Sequence, residues 1–86
     1  MSEYTAEYIQ SKLEKELNAT IVNVVDESDG CGGKFSVVVV STVFQGKPLL
    51  QRHRLVNSVL EEELKKIHAF SMKTYTPEQW EAQQQQ

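Results

Sequence analysis

Cysteine is almost absent from this chain: of its 86 residues only Cys31 is one. A single thiol cannot close an intrachain disulfide. That excludes the stapled scaffold of small secreted domains and fits a reducing compartment. Long apolar runs are missing as well. The longest unbroken aliphatic stretch, Val37 to Val40, is far shorter than the ~20 residues of a membrane-spanning helix. The opening MSEYTAEYIQ lacks the basic-then-apolar pattern of a signal peptide, so the expectation is a cytoplasmic or nuclear protein. Positive charge is not in excess either. Nine Lys and Arg stand against twelve Asp and Glu, a net charge of −3, which handicaps any nucleic-acid reading. There is no G-x-x-x-x-G-K-[ST] motif, and no carboxylate pair isolated in an apolar setting as general acid catalysis would want. Nothing points to an enzyme.

What is present is an ordinary composition, 40% hydrophobic and 24% charged, for one domain over residues 1–82. The glutamine run at 83–86 is expected to be unstructured. Ala6, Ile9, Leu13 and Leu17 fall on one helical stripe, with Thr5 as N-cap and Asn18 ending it. Ile21 to Asp26 is β-branched and predicts a strand; Phe35 to about Phe44 predicts a second, nearly continuous in valine. Leu49, His53, Val56, Leu60, Leu64 and Ile67 keep helical spacing. The Ser58–Glu61 capping-box signature splits them into helices over about 48–56 and 59–66, a helix-turn-helix arrangement. A third strand is predicted from His68 to Tyr75, with His68, Phe70 and Met72 on one face. Thr76-Pro77-Glu78-Gln79 starts a terminal helix carrying Trp80, which is expected to anchor it on the sheet. The order is α-β-β-α-α-β-α. The first two strands form a meander, so any parallel pairing involves the third.

The candidate chemistry sits in few places. ESDGCGGK, between the first two strands, is rich in turn formers and holds Cys31 at its centre. Its G-x-x-G, Gly30 to Gly33, joins strands where the nucleic-acid grip of KH domains joins helices. Glu61, Glu62 and Glu63 precede Lys65 and Lys66 as i,i+4 pairs and suggest a solvated helix face. His53, on an apolar stripe, suggests a core or subsurface residue, while Arg52, Arg54 and Lys47 make a weak basic patch. His68 opens a strand, and Cys31 lies in a loop at a sheet end, so the two can share an edge. Thiolate and imidazole are the donors iron and zinc prefer, yet a tetrahedral zinc or a [2Fe–2S] cluster needs four. Cys31 and His68 would be half a site, and a metal role therefore implies a partner.

From Phe44 to Trp80 the chain resembles the BolA family. The match lies in F-x-G-K-x-L-x-R-H-R-x-V-N, L-x-x-E-L-x-x-I-H-A and K-T-x-T-P-x-x-W, and upstream elements fit the same template. A cysteine between the first two strands is similar to the eukaryotic cytosolic branch. The resemblance implies an α+β, class II KH-like fold with a three-stranded mixed sheet packed by helices. It implies a monothiol glutaredoxin of the CGFS type as partner and a shared [2Fe–2S] cluster, held on the partner's side by its cysteine and glutathione. Cys31 and His68 would be this chain's ligands. The expected partner-binding face joins that edge, with Ala69 and Phe70, to Gly46, Lys47, Arg52, His53 and Arg54.

The expected function is cluster assembly and delivery to cytosolic and nuclear proteins, and with it iron homeostasis. An imidazole ligand makes a cluster less negative and raises its potential, and a ligand on a glycine loop swings away with little strain. Those traits suit a carrier that hands clusters on. The alternative is a transcriptional regulator using the helix-turn-helix, an association known for some bacterial members of the family.

Overall fold

Thr5 opens the chain's first helix as expected, its hydroxyl accepting the Tyr8 amide at 3.1 Å. The computed structural model describes residues 4–27 and 33–84 and, of His68, the backbone alone. In it α1 spans Ala6–Leu17 and ends at Asn18, whose left-handed backbone (φ 48°) returns its amide to the Glu14 carbonyl. Two strands follow, β1 at Ile21–Asp26 and β2 at Gly33–Val40. They pair antiparallel from Ile21↔Val40 to Asp26↔Phe35, and Glu27 N–H to Lys34 O at 2.7 Å adds one further rung.

The third strand, β3 at Ile67–Tyr75, lies parallel to β2, so β2 is central in a mixed sheet ordered β1-β2-β3. A parallel partner needs a crossover that returns the chain to the end where β2 began. Two helices make it: α2 at Leu49–Val59 and α3 at Glu61–Leu64. A last helix, α4 at Pro77–Gln84, follows β3. The architecture is the expected α+β, KH-like order.

The two faces of the valine strand differ. Phe35, Val37 and Val39 are buried with Val22 against Ile9, Leu13, Leu17, Val56 and Leu60 from the helices; Val24, Phe70 and Met72 pack at the margin. On the opposite face Asn23, Val25, Ser71 and Lys73 are exposed. Only the Val40↔Tyr75 end of that face is covered, where Trp80 of α4 tilts onto Tyr75 at 5.5 Å. Trp80 thus anchors α4 as expected. The cap is complete: Thr76 N–H donates to Gln79 Oε1 at 3.0 Å and Gln79 N–H to Thr76 Oγ1 at 3.2 Å.

Four expectations need correction. The second strand stops at Val40 rather than near Phe44. Ser41, fully buried, donates its hydroxyl to the Leu17 carbonyl at 2.7 Å and accepts the Val43 amide at 3.2 Å, turning Thr42–Phe44 into a 3-10 turn. The Ser58–Glu61 capping box does not form. Ser58 is still inside α2, and Leu60, whose N–H is held by the Val56 carbonyl at 3.1 Å, takes the N-cap position of α3 instead, without a side-chain cap. The break falls at Leu60, so the two expected helices are both present, but α3 is only one turn long. Leu49, expected on the apolar stripe, is 60% exposed. Finally, α4 runs through Gln84, two residues into the glutamine run expected to be unstructured; the last two lie outside the described residues.

Candidate functional site

The parallel register decides what His68 neighbours. Gly33 of β2 pairs with Ile67, but the next residue, Lys34, pairs with Ala69, and Phe35 then pairs with Phe70. His68 is the extra residue of a β-bulge at the first step of β3. Ile67 is buried and Phe70 packs on the same core, with two residues between them where a regular strand has one. The alternation of Phe70 with Met72 therefore does not carry back to Ile67, and the face expected for the His68 side chain lies outside the described residues. Bulges break the period of two along a strand.

Cys31 lies outside the described residues. The described residues that flank it in sequence, Glu27 and Gly33, stand at one strand end, marked by the Glu27–Lys34 hydrogen bond and by the pairing of Gly33 with Ile67. The start of β2 and the start of β3 are thus side by side, with the cysteine two residues upstream of one and His68 one residue inside the other. Ala69 and Phe70, both half-buried, continue that edge. Among the described residues, no group of three or more His, Cys, Asp or Glu comes together that could hold a metal ion.

The 46–54 segment is elsewhere. Arg52 donates through Nε to the Lys47 carbonyl and through Nη1 to Gln79 Oε1, both at 2.8 Å, and Gln45 donates to the Glu78 carboxylate at 3.1 Å. Glu78 and Gln79 belong to α4, which begins where β3 ends. Gly46, Lys47 and Arg52 therefore sit at the Tyr75 end of the sheet, and His53 and Arg54 follow directly in α2. At about 3.3 Å per residue the nine residues of β3 put roughly 26 Å between that end and Ile67. The expected partner face thus divides in two. Gly46 has a local reason to be glycine, its φ of +74°. Arg52 is a tether between α2, the preceding loop and α4. His53 is half-buried, between the core and surface readings.

The acidic run also departs from a uniformly solvated face. Glu61 and Glu62 are exposed, with Lys65 bonded to Glu62 at 3.1 Å across three residues rather than four. Glu63 is only 2% exposed. Its Oε2 accepts both Lys12 Nζ and Tyr8 Oη at 2.6 Å, whereas Oε1 is buried without a partner among the described residues. Burial alone would raise the Glu63 carboxyl, but the hydrogen bonds from Lys12 and Tyr8 help pull it below its ordinary value. The same bonds to Glu63 raise Lys12 and Tyr8. A signal for this was available: Glu63 lies seven residues after Val56 and three after Leu60, on the buried stripe.

Comparison with known proteins settles the family. A profile described as BolA-like protein matches residues 13–79, more than half of the chain. This chain belongs to the BolA family. The human protein named BolA-like protein 2 is 54% identical over 84 residues, covering 96% of this chain and 98% of its own length. A crystal structure described as a bol-like protein from Babesia bovis superposes with a TM-score of 0.89 at 41% identity, covering 95% of both chains. At lower identity, 40% over 85 residues with 91% of this chain and 81% of the relative covered, stands the Escherichia coli protein named DNA-binding transcriptional regulator BolA.

Proposed function

We propose that this chain is a non-enzymatic carrier of [2Fe–2S] clusters in the cytoplasm and nucleus. It binds a CGFS-type monothiol glutaredoxin and shares with it a labile cluster, which passes on to recipient proteins in support of iron homeostasis. Cys31 and His68 are this chain's ligands, and the glutaredoxin cysteine with glutathione completes the set. The observation that carries this reading is the Gly33↔Ile67 register with the bulge at His68. Two residues of extended chain span at most ~7 Å, so Cys31 is tethered within reach of the edge where His68 stands. One thiolate and one imidazole suit iron but leave the coordination incomplete, which favours a second molecule on this edge. Ala69 and Phe70 extend the partner surface; the 46–54 segment, at the far end of the sheet, is left out of it. The regulator reading rests on the name of the more distant bacterial relative, and the second helix it would use, α3, is one turn long.

The test is reconstitution. The protein is mixed with a CGFS-type glutaredoxin, glutathione, iron and sulfide, and visible absorption and circular dichroism are recorded. A spectrum distinct from that of the glutaredoxin alone, altered by Cys31→Ser and by His68→Ala but not by His53→Ala, is the expected result. An unchanged glutaredoxin spectrum removes the proposal.

A further inference from the structure

We propose that the N-terminal half of α2 is a docking surface for a segment of a partner protein in which carboxylates flank an apolar side chain. The surface is independent of the edge that bears His68. Leu49 and Leu50 are 60% and 62% exposed, the most exposed large apolar residues among those described, and neither joins the hydrophobic core. Folding gives no reason for leucine at two adjacent exposed positions in the first turn of a helix, whereas a partner that covers them does. Beside them Lys47, Gln51, Arg54 and Leu55 line a shallow, open depression of about 250 Å³. Arg54 stands one turn after Leu50 on α2, and Lys47, in the loop before the helix, meets Arg54 at the rim of the same depression.

Charge specifies the occupant. The chain carries a net −3, yet the charged residues described around this depression are both cations. No ion pair engages Lys47, Arg52 or Arg54 among the described residues, and Arg52 is spent on the Lys47 carbonyl and Gln79. That tether also fixes the loop bearing Lys47 against α2, so the surface is built before anything binds. A nucleic-acid groove tracks a phosphate backbone with a row of cations and aromatic stacking platforms. Two exposed leucines next to a depression rimmed by two cations instead match an acidic segment with an apolar anchor, the arrangement of a small hot spot with a charged rim. Because about 26 Å of strand separates this surface from Ile67, both ends of the sheet can be occupied at once.

The experiment uses the full chain without metal. A random dodecapeptide phage library is selected on it, and the recovered consensus peptide is titrated into the isotopically labelled protein while amide shifts are followed. The expected consensus places Asp or Glu beside Leu, Ile, Met or Phe. The expected shifts concentrate at residues 47–55 and spare 67–72. Affinity should fall at least tenfold in Leu49→Ser/Leu50→Ser and in Lys47→Glu/Arg54→Glu, with amide dispersion showing both variants folded. It should also weaken as salt is raised from 50 to 300 mM. Failure to enrich any peptide, a basic consensus, or shifts centred at the His68 end would overturn the proposal. So would a twelve-nucleotide thymidine strand producing the same shifts at lower concentration than the peptide, which would assign the surface to nucleic acid.

Discussion

Lys12 Nζ stands 2.6 Å from Glu63 Oε2, joining the middle of α1 to the single turn of α3 that precedes β3. Tyr8, one turn before Lys12, meets the same oxygen. The carboxylate is buried and the lysine about one-third exposed, so removing the lysine strands an anion rather than merely deleting a surface pair. Lys12→Met should cost about 2–3 kcal/mol near pH 7, below the 3–5 typical of a fully buried pair because Lys12 retains some water.

The pH dependence gives that prediction a sign. The Glu63 carboxyl is held below its ordinary value, so its contribution is full above ~4.3 and is lost as pH falls through the lower, folded value. In Lys12→Met the pull from the lysine is gone, and burial is opposed only by the hydrogen bond from Tyr8 and a backbone hydrogen bond, so the downward displacement shrinks. The stability gap between wild type and variant should therefore be widest near neutrality and narrow towards pH 3. Urea denaturation at several pH values measures it, and a gap that stays constant across that range would refute the account.

Gln79 has two jobs. It closes the capping box with Thr76 and accepts Arg52 from α2, so it ties the crossover to the last helix. Thr76→Ala should cost about 1 kcal/mol, as other lost helix caps do. Gln79→Ala should cost more, and a double-mutant cycle with Arg52→Ala should show a coupling of about 0.5–1.5 kcal/mol. Additive effects of Gln79→Ala and Arg52→Ala would mean the 2.8 Å contact contributes nothing.

Much of this fold was legible because its signals are local. The α1 stripe with Thr5 and Asn18, the β-branched run of β1 and the Thr76–Gln79 cap each lie within a dozen residues, where propensity and pattern agree. What escaped depends on contacts across the chain. Ser41 ends β2 because the Leu17 carbonyl, 24 residues upstream, takes its hydroxyl. Glu63 is buried because Lys12 and Tyr8 come to meet it. The His68 bulge is set by parallel pairing with Gly33 and Lys34, which no period of two within β3 announces. Likewise, the 46–54 segment looked close to His68 only because the sequence does not say that α2 starts at the opposite end of the sheet.

Ser41 also supports a sharp stability prediction. Its hydroxyl is fully buried and serves as donor to Leu17 O and acceptor from Val43 N–H. Ser41→Ala leaves both backbone groups without that partner, so the expected cost is about 1–3 kcal/mol. Threonine keeps the hydroxyl but adds a methyl to a filled site, so Ser41→Thr should recover part of the loss. If Ser41→Ala were as stable as the wild type, the ending of β2 would need another cause.

The separation of the two sheet ends can be tested directly in the reconstituted complex. Arg52 is bonded to Gln79 beyond the end of β3, and His68 stands at its beginning. Charge reversal at Arg54, or Leu50→Asp, alters only the far end and should leave the visible circular dichroism of a shared cluster within experimental error of wild type. His68→Ala should change its shape, and Phe70→Asp should weaken assembly by placing a charge at the edge where the partner seats. Leu50→Asp and Phe70→Asp introduce the same charge at different places along the sheet, and amide dispersion must show Phe70→Asp folded, because Phe70 also packs on the core. Equal loss of assembly in both would mean that one partner spans the whole sheet, and that the two ends do not work independently.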